Sequence, residues 1–307
     1  MSATIKLPIG AAVLLVAGVV VSFFVTNHPS PSAPTSGAPL HMVVAENFWG
    51  SLATQIGGSK VVVDSIVTDP NADPHDYEAT TDDARAVADA DYVVENGAGY
   101  DTWMDKLLGS ASKPDRIVLN IADLVGKKSG DNPHLWYDPE YVNAAVVQME
   151  HDLAALDPAD AAYFKSNSTA LMTSLSGYQN TLASIKAAYA GIPVGSTEDI
   201  AVYFAAAAGV NLNTPPAFIQ AVGEGNDPSA ASVAQFQDQI NRKEIKVLIY
   251  NVQTDTPITE SMKSLAEKNN IPIVPISETL TPASARFQDW MGTEADALQA
   301  ALQSASK

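Results

Sequence analysis

The sequence predicts an α/β fold of two lobes, each with a mostly parallel sheet flanked by helices, joined by one long backbone helix. Short runs rich in β-branched residues alternate with helical patterns over residues 40–138, and this alternation returns over residues 191–307. Residues 139–190 contain one proline after their first residue and one glycine, and are rich in Ala, Leu, Gln and Lys, as helices are. A chain of 307 residues can hold two lobes of ordinary size.

The first lobe is assigned to residues 40–138. Residues 61–67 carry five β-branched side chains and predict a strand. Thr80 or Thr81 suits a helix N-cap, with Asp82 and Asp83 favourably placed in the first turn. The predicted order is strand 41–45, helix 47–56, strand 61–67, helix 81–88, strand 92–95, helix 101–108 and strand 116–120.

The connection between the lobes is assigned to residues 139–190 and is predicted to be two helices, 139–155 and 158–188. Asp157 and Pro158 suit the cap and first turn of the second helix, which would be roughly 45 Å long at 1.5 Å per residue. The second lobe, residues 191–307, follows the pattern of the first. Its predicted order is strand 192–195, helix 199–208, helix 228–241, strand 245–251, helix 257–268, strand 271–276 and helix 286–304.

Composition excludes several kinds of function. The chain has no cysteine, which rules out disulfides, thiolate zinc and iron–sulfur sites, a cysteine nucleophile and a lipid-bearing cysteine. Any transition metal must therefore be held by His, Asp or Glu. The net charge of −18 makes nucleic acid and anionic membrane surfaces poor partners.

Residues 1–39 are predicted to be a signal or membrane anchor followed by a linker. Residues 7–25 are uncharged and apolar, follow Lys6, and come close to the ~20 residues that span a bilayer. No clean cleavage site follows, which favours an uncleaved anchor, although a cleaved signal stays open. Residues 26–39 carry four prolines and read as a semi-extended linker. We expect the folded part at the extracytoplasmic face of the membrane, or secreted or periplasmic if the segment is cleaved.

Four potential metal ligands follow predicted strands, two in each lobe. His75 and His134 each come directly after a proline, and Glu198 and Glu278 follow strands of the second lobe. Open parallel sheets bind ligands at the carboxyl ends of their strands, so these side chains are expected to meet in one divalent-metal site. Each also has an ordinary interpretation: a turn or packed loop for the histidines, a helix start for Glu198, and the surface for Glu278.

Several segments resemble the solute-binding proteins of manganese/zinc ABC importers, over about residues 40–307. The resemblance is carried by Pro-His-x-Tyr-Glu-x-Thr at 74–80, Ala-Asp-Tyr-Val-Val-Glu-Asn-Gly at 90–97, Trp-Met-Asp-Lys-Leu at 103–107 and Asn-Pro-His-Leu-Trp-Tyr-Asp-Pro at 132–139. Segments 196–204 and 276–280 are similar to those that supply the third and fourth ligands of that family. The resemblance thus implies His75, His134, Glu198 and Glu278 as ligands between two lobes.

This chain departs from the family pattern at three points. Glu278 stands where Asp is usual, no cysteine is present to carry a lipid, and residues 126–131 are short and lack the histidines often found there in zinc members. Two imidazoles and two carboxylates suit tetrahedral Zn²⁺, and they suit Mn²⁺ if the carboxylates chelate. Mn²⁺ and Zn²⁺ both stay open, with Fe²⁺ less favoured. Whether water or Asp199 completes the coordination sphere also stays open.

The resemblance implies a non-enzymatic, monomeric metal-capture subunit that hands its ion to a membrane permease driven by a cytoplasmic ATPase. Protonation of the two histidines should weaken binding below about pH 6. One alternative is a metal-dependent hydrolase, but the chain lacks His-Glu-x-x-His and Gly-x-Ser-x-Gly, and four protein ligands would close a tetrahedral ion. The other is a surface adhesin on the same fold.

Overall fold

A computed structural model of the chain describes residues 1–2, 37–70 and 77–306. The predicted signal or anchor over residues 7–25 and the candidate ligand His75 lie outside the described residues. Among the helices that are described, none is both long and apolar enough to cross a bilayer. Residues 37–307 form one compact unit.

Two four-stranded parallel sheets have the same strand order. The first contains β1 (Leu40–Glu46), β2 (Val61–Val67), β3 (Tyr92–Glu95) and β4 (Ile117–Asn120), ordered β2-β1-β3-β4. The second contains β5 (Pro193–Ser196), β6 (Asn211–Leu212), β7 (Leu248–Asn251) and β8 (Ile273–Ile276), ordered β6-β5-β7-β8. In each sheet the chain reverses direction across the sheet between the two central strands. Ligands of such sheets bind beyond the carboxyl ends at that point.

Helices flank both sheets and connect them. The α-helices of the described residues are α1 (Asn47–Gly57), α2 (Thr81–Asp89), α3 (Thr102–Ser110), α4 (Ile121–Leu124), α5 (Pro139–Leu156), α6 (Ala161–Tyr189), α7 (Ala201–Ala208), α8 (Pro216–Gly223), α9 (Ala230–Asn241), α10 (Pro257–Lys268) and α11 (Phe287–Ala305). Short 3-10 turns occupy Gly58–Lys60, Leu135–Tyr137 and Pro158–Asp160. The predicted two-lobed α/β fold with a long connecting helix is confirmed.

The connecting helix α6 has 29 residues, or about 44 Å. It begins three residues later than predicted, because the Asp157 side chain accepts a hydrogen bond from the Ala159 N–H and caps a 3-10 turn instead. Its buried side chains recur at helical spacing, and the helix packs against α1, α5, α7 and α11. The helix therefore supports both sheets along a single stripe.

A continuous apolar core crosses from one half of this unit to the other. Phe48 on α1 lies against Trp136, with ring centroids 4.2 Å apart, and also stacks with Trp290 of α11 at 6.5 Å. All three side chains are buried, as is Trp49. A shared core of this kind resists wide hinge opening, because opening would expose its apolar surface to water.

The prediction missed several elements. Helices α4 and α8, strand β6 and the turn Leu135–Tyr137 have no counterpart among the predicted elements. Strand β6 has two residues and α4 has four, too few to show a periodic pattern. Two strands begin later than predicted. Strand β7 begins at Leu248 rather than at residue 245, and β8 begins at Ile273 rather than at residue 271.

Candidate metal site

Three of the four predicted ligands lie buried at the carboxyl ends of the sheets. His134 is 1% exposed, Glu198 is 3% exposed and Glu278 is 0% exposed. His134 belongs to the first half, whereas Glu198 and Glu278 belong to the second. The Nε2 atom of His134 lies 3.8 Å from Oε2 of Glu278, so the two halves meet here.

His134 is placed by a loop rather than by a strand end. Helix α4 and residues 125–133 separate it from β4, so the expectation that it directly follows a strand was wrong. Asn132 fixes the ring: its Oδ1 lies 3.0 Å from both the backbone N–H and Nδ1 of His134. The N–H can only donate, so this atom of Asn132 is the oxygen, and Nδ1 carries the ring proton. In the neutral imidazole the lone pair is then on Nε2, the nitrogen that faces Glu278.

Asn132 also ties this loop to the second half of the molecule. Its Nδ2 donates to the Asp199 carbonyl oxygen at 2.8 Å, and the Tyr203 hydroxyl donates to the Asn132 carbonyl oxygen at 3.1 Å. Metal-ligating histidines are commonly oriented by such a partner on the second ring nitrogen. The loop thus presents His134 from a position that both halves hold.

Glu198 lies in the turn between β5 and α7. It follows the end of β5 at Ser196 by two residues, as expected, and helix α7 begins only at Ala201, so the alternative interpretation of Glu198 as a helix start is not met. Burial raises the pKa of Glu198 well above its usual range, and the neighbouring charge of Glu278 raises it further. A buried pair of carboxylates is costly unless a proton or a cation compensates it.

Glu278 is held on both its backbone and its side chain. The Gln253 side-chain oxygen accepts hydrogen bonds from the N–H groups of Glu278, at 2.6 Å, and Thr279, at 3.0 Å. The Tyr100 hydroxyl, from the first half, donates to Glu278 Oε2 at 2.8 Å. The carboxylate therefore has a fixed orientation, with Oε2 turned toward His134.

Tyr100 reaches this position because the chain turns sharply after β3. Gly97, Ala98 and Gly99 have φ angles of 75°, 57° and 92°. Two of the three are glycines, which adopt positive φ without the steric clash of a Cβ atom. The carboxylate of Asp101 accepts the N–H groups of Asn96 and Gly97 at 2.6 and 2.8 Å, which fixes the turn. Sequence reasoning did not assign Tyr100 to the site, although the Gly-x-Gly pattern at a strand end marks the turn.

Asn251, the last residue of β7, is a second site residue that sequence reasoning missed. Its Nδ2 donates to Glu278 Oε1 at 2.9 Å and to Glu198 Oε1, and the residue is fully buried. The signal was present, because Asn251 is the polar residue that ends the apolar run of β7 at the ligand-binding edge of its sheet.

Asp199 approaches the ring of His134 from the Nδ1 side, where its Oδ1 lies 3.6 Å from that nitrogen. Nε2 faces Glu278, so Asp199 and Glu278 flank opposite ring nitrogens. Two cavities border the site: one of about 300 Å³ is lined by Asn132, His134 and Asp199, and one of about 520 Å³ by Glu198. Both are also lined by Glu224, so the space beside the site is acidic.

The donor set fits a divalent transition metal: a neutral imidazole nitrogen and two buried carboxylates from different segments. A cation would offset the repulsion between Glu198 and Glu278. Across the described ranges, no group of three His, Asp or Glu side chains is placed to hold a metal ion. The four-residue set that includes His75 therefore stays a prediction.

The fold and the buried, two-sided site define a class: two-lobed solute-binding proteins in which a long helix connects the lobes. The family described as "ZnuA: Zinc-uptake complex component A periplasmic" matches residues 42–301 of the chain. This chain belongs to that family. The resemblance to solute-binding proteins of manganese/zinc ABC importers is thereby confirmed.

Relatives agree with this placement. The metal ABC transporter substrate-binding lipoprotein FimA of Streptococcus parasanguinis is 24% identical over 263 residues, covering 79% of this chain and 81% of FimA. The manganese ABC transporter substrate-binding lipoprotein PsaA of Streptococcus pneumoniae serotype 4 is 24% identical, covering 78% and 80%. The solved structure of the solute-binding protein FpvC of Pseudomonas aeruginosa with Mn²⁺ superposes with a TM-score of 0.72 at 21% identity, covering 87% of this chain and 99% of FpvC.

Proposed function

We propose that this protein is the extracytoplasmic solute-binding subunit of an ABC importer for a divalent transition metal, Mn²⁺ or Zn²⁺. It captures one ion between its lobes and delivers it to a membrane permease driven by a cytoplasmic ATPase. The observation that carries the proposal is the approach of His134 to Glu278 across the two halves, with Glu198 joined to Glu278 through the buried Asn251 side chain. The ion is the cargo of this site rather than a resident cofactor.

The predicted ligands are His75, His134, Glu198 and Glu278. The imidazole orientation imposed by Asn132 and the raised pKa of Glu198 support this set, because both prepare the site for a cation that displaces a proton. The family membership and the relatives named as substrate-binding lipoproteins of metal ABC transporters support transport over catalysis. They also favour import over a purely adhesive role.

Anchoring is proposed to differ from that of the lipoprotein relatives. The chain contains no cysteine to carry a lipid, so residues 7–25 would hold it at the extracytoplasmic face of the membrane. Membrane fractions should retain the full-length chain after an alkaline wash and lose a variant without residues 7–25. Retention of that variant would contradict an anchor in this segment. We further propose that the protein works as a monomer.

Metal content is the direct test of the proposed function. The full-length chain, purified in mild detergent without chelator, should carry one divalent ion per molecule, which elemental analysis measures. A double variant with His75→Ala and His134→Ala should lose it. His151→Ala is a matched control, because His151 is a highly exposed histidine with its side chain 77% accessible.

A wild-type chain with no bound metal and no uptake on titration with Mn²⁺ or Zn²⁺ would contradict the proposal. Equal loss of metal in His151→Ala would mean that the effect of the double variant is not specific to the site.

A further inference from the structure

The side-chain amide of Asn251 donates hydrogen bonds to both carboxylates of the candidate site. Asn251 ends β7 and is fully buried. Its Oδ1 accepts the backbone N–H of Gln253 at 3.0 Å, and that group can only donate. The amide is therefore oriented without ambiguity, and its NH₂ group faces the carboxylates.

The two hydrogens of this NH₂ group face three oxygens, two from carboxylates and one from the Thr254 hydroxyl. Nδ2 donates to Glu278 Oε1 at 2.9 Å and also to Glu198 Oε1. The third neighbour, the Thr254 hydroxyl at 3.0 Å, can donate its own proton to Glu198. The buried Asn251 side chain thus binds one oxygen of each carboxylate, the Oε1 atom of Glu198 and the Oε1 atom of Glu278.

The remaining oxygens are the ones available to a cation. Glu278 Oε2 is the oxygen turned toward Nε2 of His134, 3.8 Å away, and Tyr100 holds it there. A carboxylate that chelates must bring both oxygens to the ion, and rotation into that geometry would pull Oε1 from Asn251. Glu278 is therefore prepared to supply one donor atom, Oε2, and the Oε1 atom of Glu198 is held by the same amide.

We infer that Asn251 is a specificity-determining residue that keeps Glu198 and Glu278 as single-oxygen ligands and so favours Zn²⁺ over Mn²⁺. Zn²⁺ accepts four donors in a tetrahedron, whereas Mn²⁺ gains from a larger set of oxygens. This inference rests on the proposed function, because it assumes that the ion binds at these carboxylates. Asn251 acts through the ligands as a positioning residue and need not touch the ion.

The test compares the full-length wild-type chain with Asn251→Ala. Competitive titration gives the ratio of Zn²⁺ to Mn²⁺ affinity. We expect this ratio to fall by about tenfold in Asn251→Ala, the low end of the loss in metal affinity that follows removal of an orienting residue, with Zn²⁺ bearing the loss. Tyr250→Phe is the matched control: it removes a hydroxyl from the same strand, but that hydroxyl bonds Glu260, away from the site. Its affinity ratio should equal that of wild type.

A spectroscopic measurement tests the coordination number independently. With Co²⁺ as the probe, the wild-type chain should give the intense visible absorption of a four-coordinate ion, and Asn251→Ala should give the weak absorption of a five- or six-coordinate ion. If Asn251→Ala does not fold, Asn251→Ser, which can still donate to one carboxylate, should give an intermediate ratio. The wild-type Co²⁺ spectrum remains decisive on its own.

The outcomes separate this inference from the proposed function. A wild-type chain that binds neither ion would overturn both. Stoichiometric binding with a weak six-coordinate Co²⁺ spectrum, or an unchanged affinity ratio in folded Asn251→Ala, would leave metal capture intact and overturn only the role of Asn251.

Discussion

The buried carboxyl of Glu294 on α11 should make the free energy of unfolding depend on pH. The substitution Glu294→Gln should remove this pH dependence. The Glu294 side chain lies under the second sheet, where Oε1 accepts the Ser277 N–H at 3.1 Å and Oε2 lies 2.8 Å from the Tyr137 hydroxyl. That hydroxyl is also 2.8 Å from the Ser277 carbonyl oxygen. The hydroxyl has one proton for two acceptors, so a proton on Glu294 satisfies the network completely.

Burial raises the pKa of Glu294 from 4.5 to about 8. The protonated form is therefore favoured in the folded state. The stability it provides is fully present below about pH 4.5 and is lost as pH rises through about 8. A shift of this size corresponds to roughly 5 kcal/mol in total, of which roughly 2 to 3 kcal/mol falls between pH 6 and pH 9.

Glu294→Gln should abolish this dependence. The amide can donate to the Tyr137 oxygen and accept from the Ser277 N–H, so the network survives without a titrating group. We expect urea unfolding to show similar stability for both proteins near pH 5, and a variant more stable than wild type by roughly 4 kcal/mol at pH 9. Asp296→Asn, an exposed change on the same helix, is the control. A stability difference that stays constant from pH 5 to pH 9 would refute the reasoning.

Three further predictions concern packing, ligand orientation and proton release. Gly177→Ala on α6 should raise the free energy of unfolding by roughly 0.5–1 kcal/mol, because a Cβ there meets nothing within 4 Å. Gly195→Ala should lower it, because its Cβ would lie 2.7 Å from Ile245; equal effects in thermal unfolding would contradict this account. Asn132→Ala should weaken metal binding by about 10- to 100-fold in a chelator competition, and unchanged affinity would exclude its role in orienting the imidazole. Metal affinity should fall as pH falls, since an ion must displace the proton that the raised pKa of Glu198 retains; calorimetry in buffers of different ionisation enthalpy should detect its release, and no release would count against Glu198 as a ligand.

Local sequence signals located most of the secondary structure. Strand β2 and helix α10 have the predicted bounds, because β-branched runs and the Pro257 start are encoded by neighbouring residues. The capping box at Thr80 and Asp83 likewise fixes the start of α2 from four consecutive residues. Where the pattern was too short, as in β6, the sequence carried no usable periodicity.

The candidate ligands were also visible in the sequence, since strand ends in parallel sheets converge at one edge. The structure brings His134, Glu198 and Glu278 to that edge and buries them. The segments that precede two of these residues are also defined. Helix α4 and a loop lie between β4 and His134, and Glu198 lies in the turn after β5. The sequence could name these residues because their place in the sheet topology follows from the alternation of strands and helices.

The sequence by itself determined the element order, the class of fold and the chemical type of the site, because these depend on composition and on residues close in the chain. Tertiary structure alone decided the partners that orient the ligands. Tyr100 and Glu278 are 178 residues apart, and Asn251 joins two carboxylates 80 residues apart from each other. No local pattern specifies such contacts. They arise because two sheets and a connecting helix share one core, which brings the ends of distant strands within hydrogen-bonding distance.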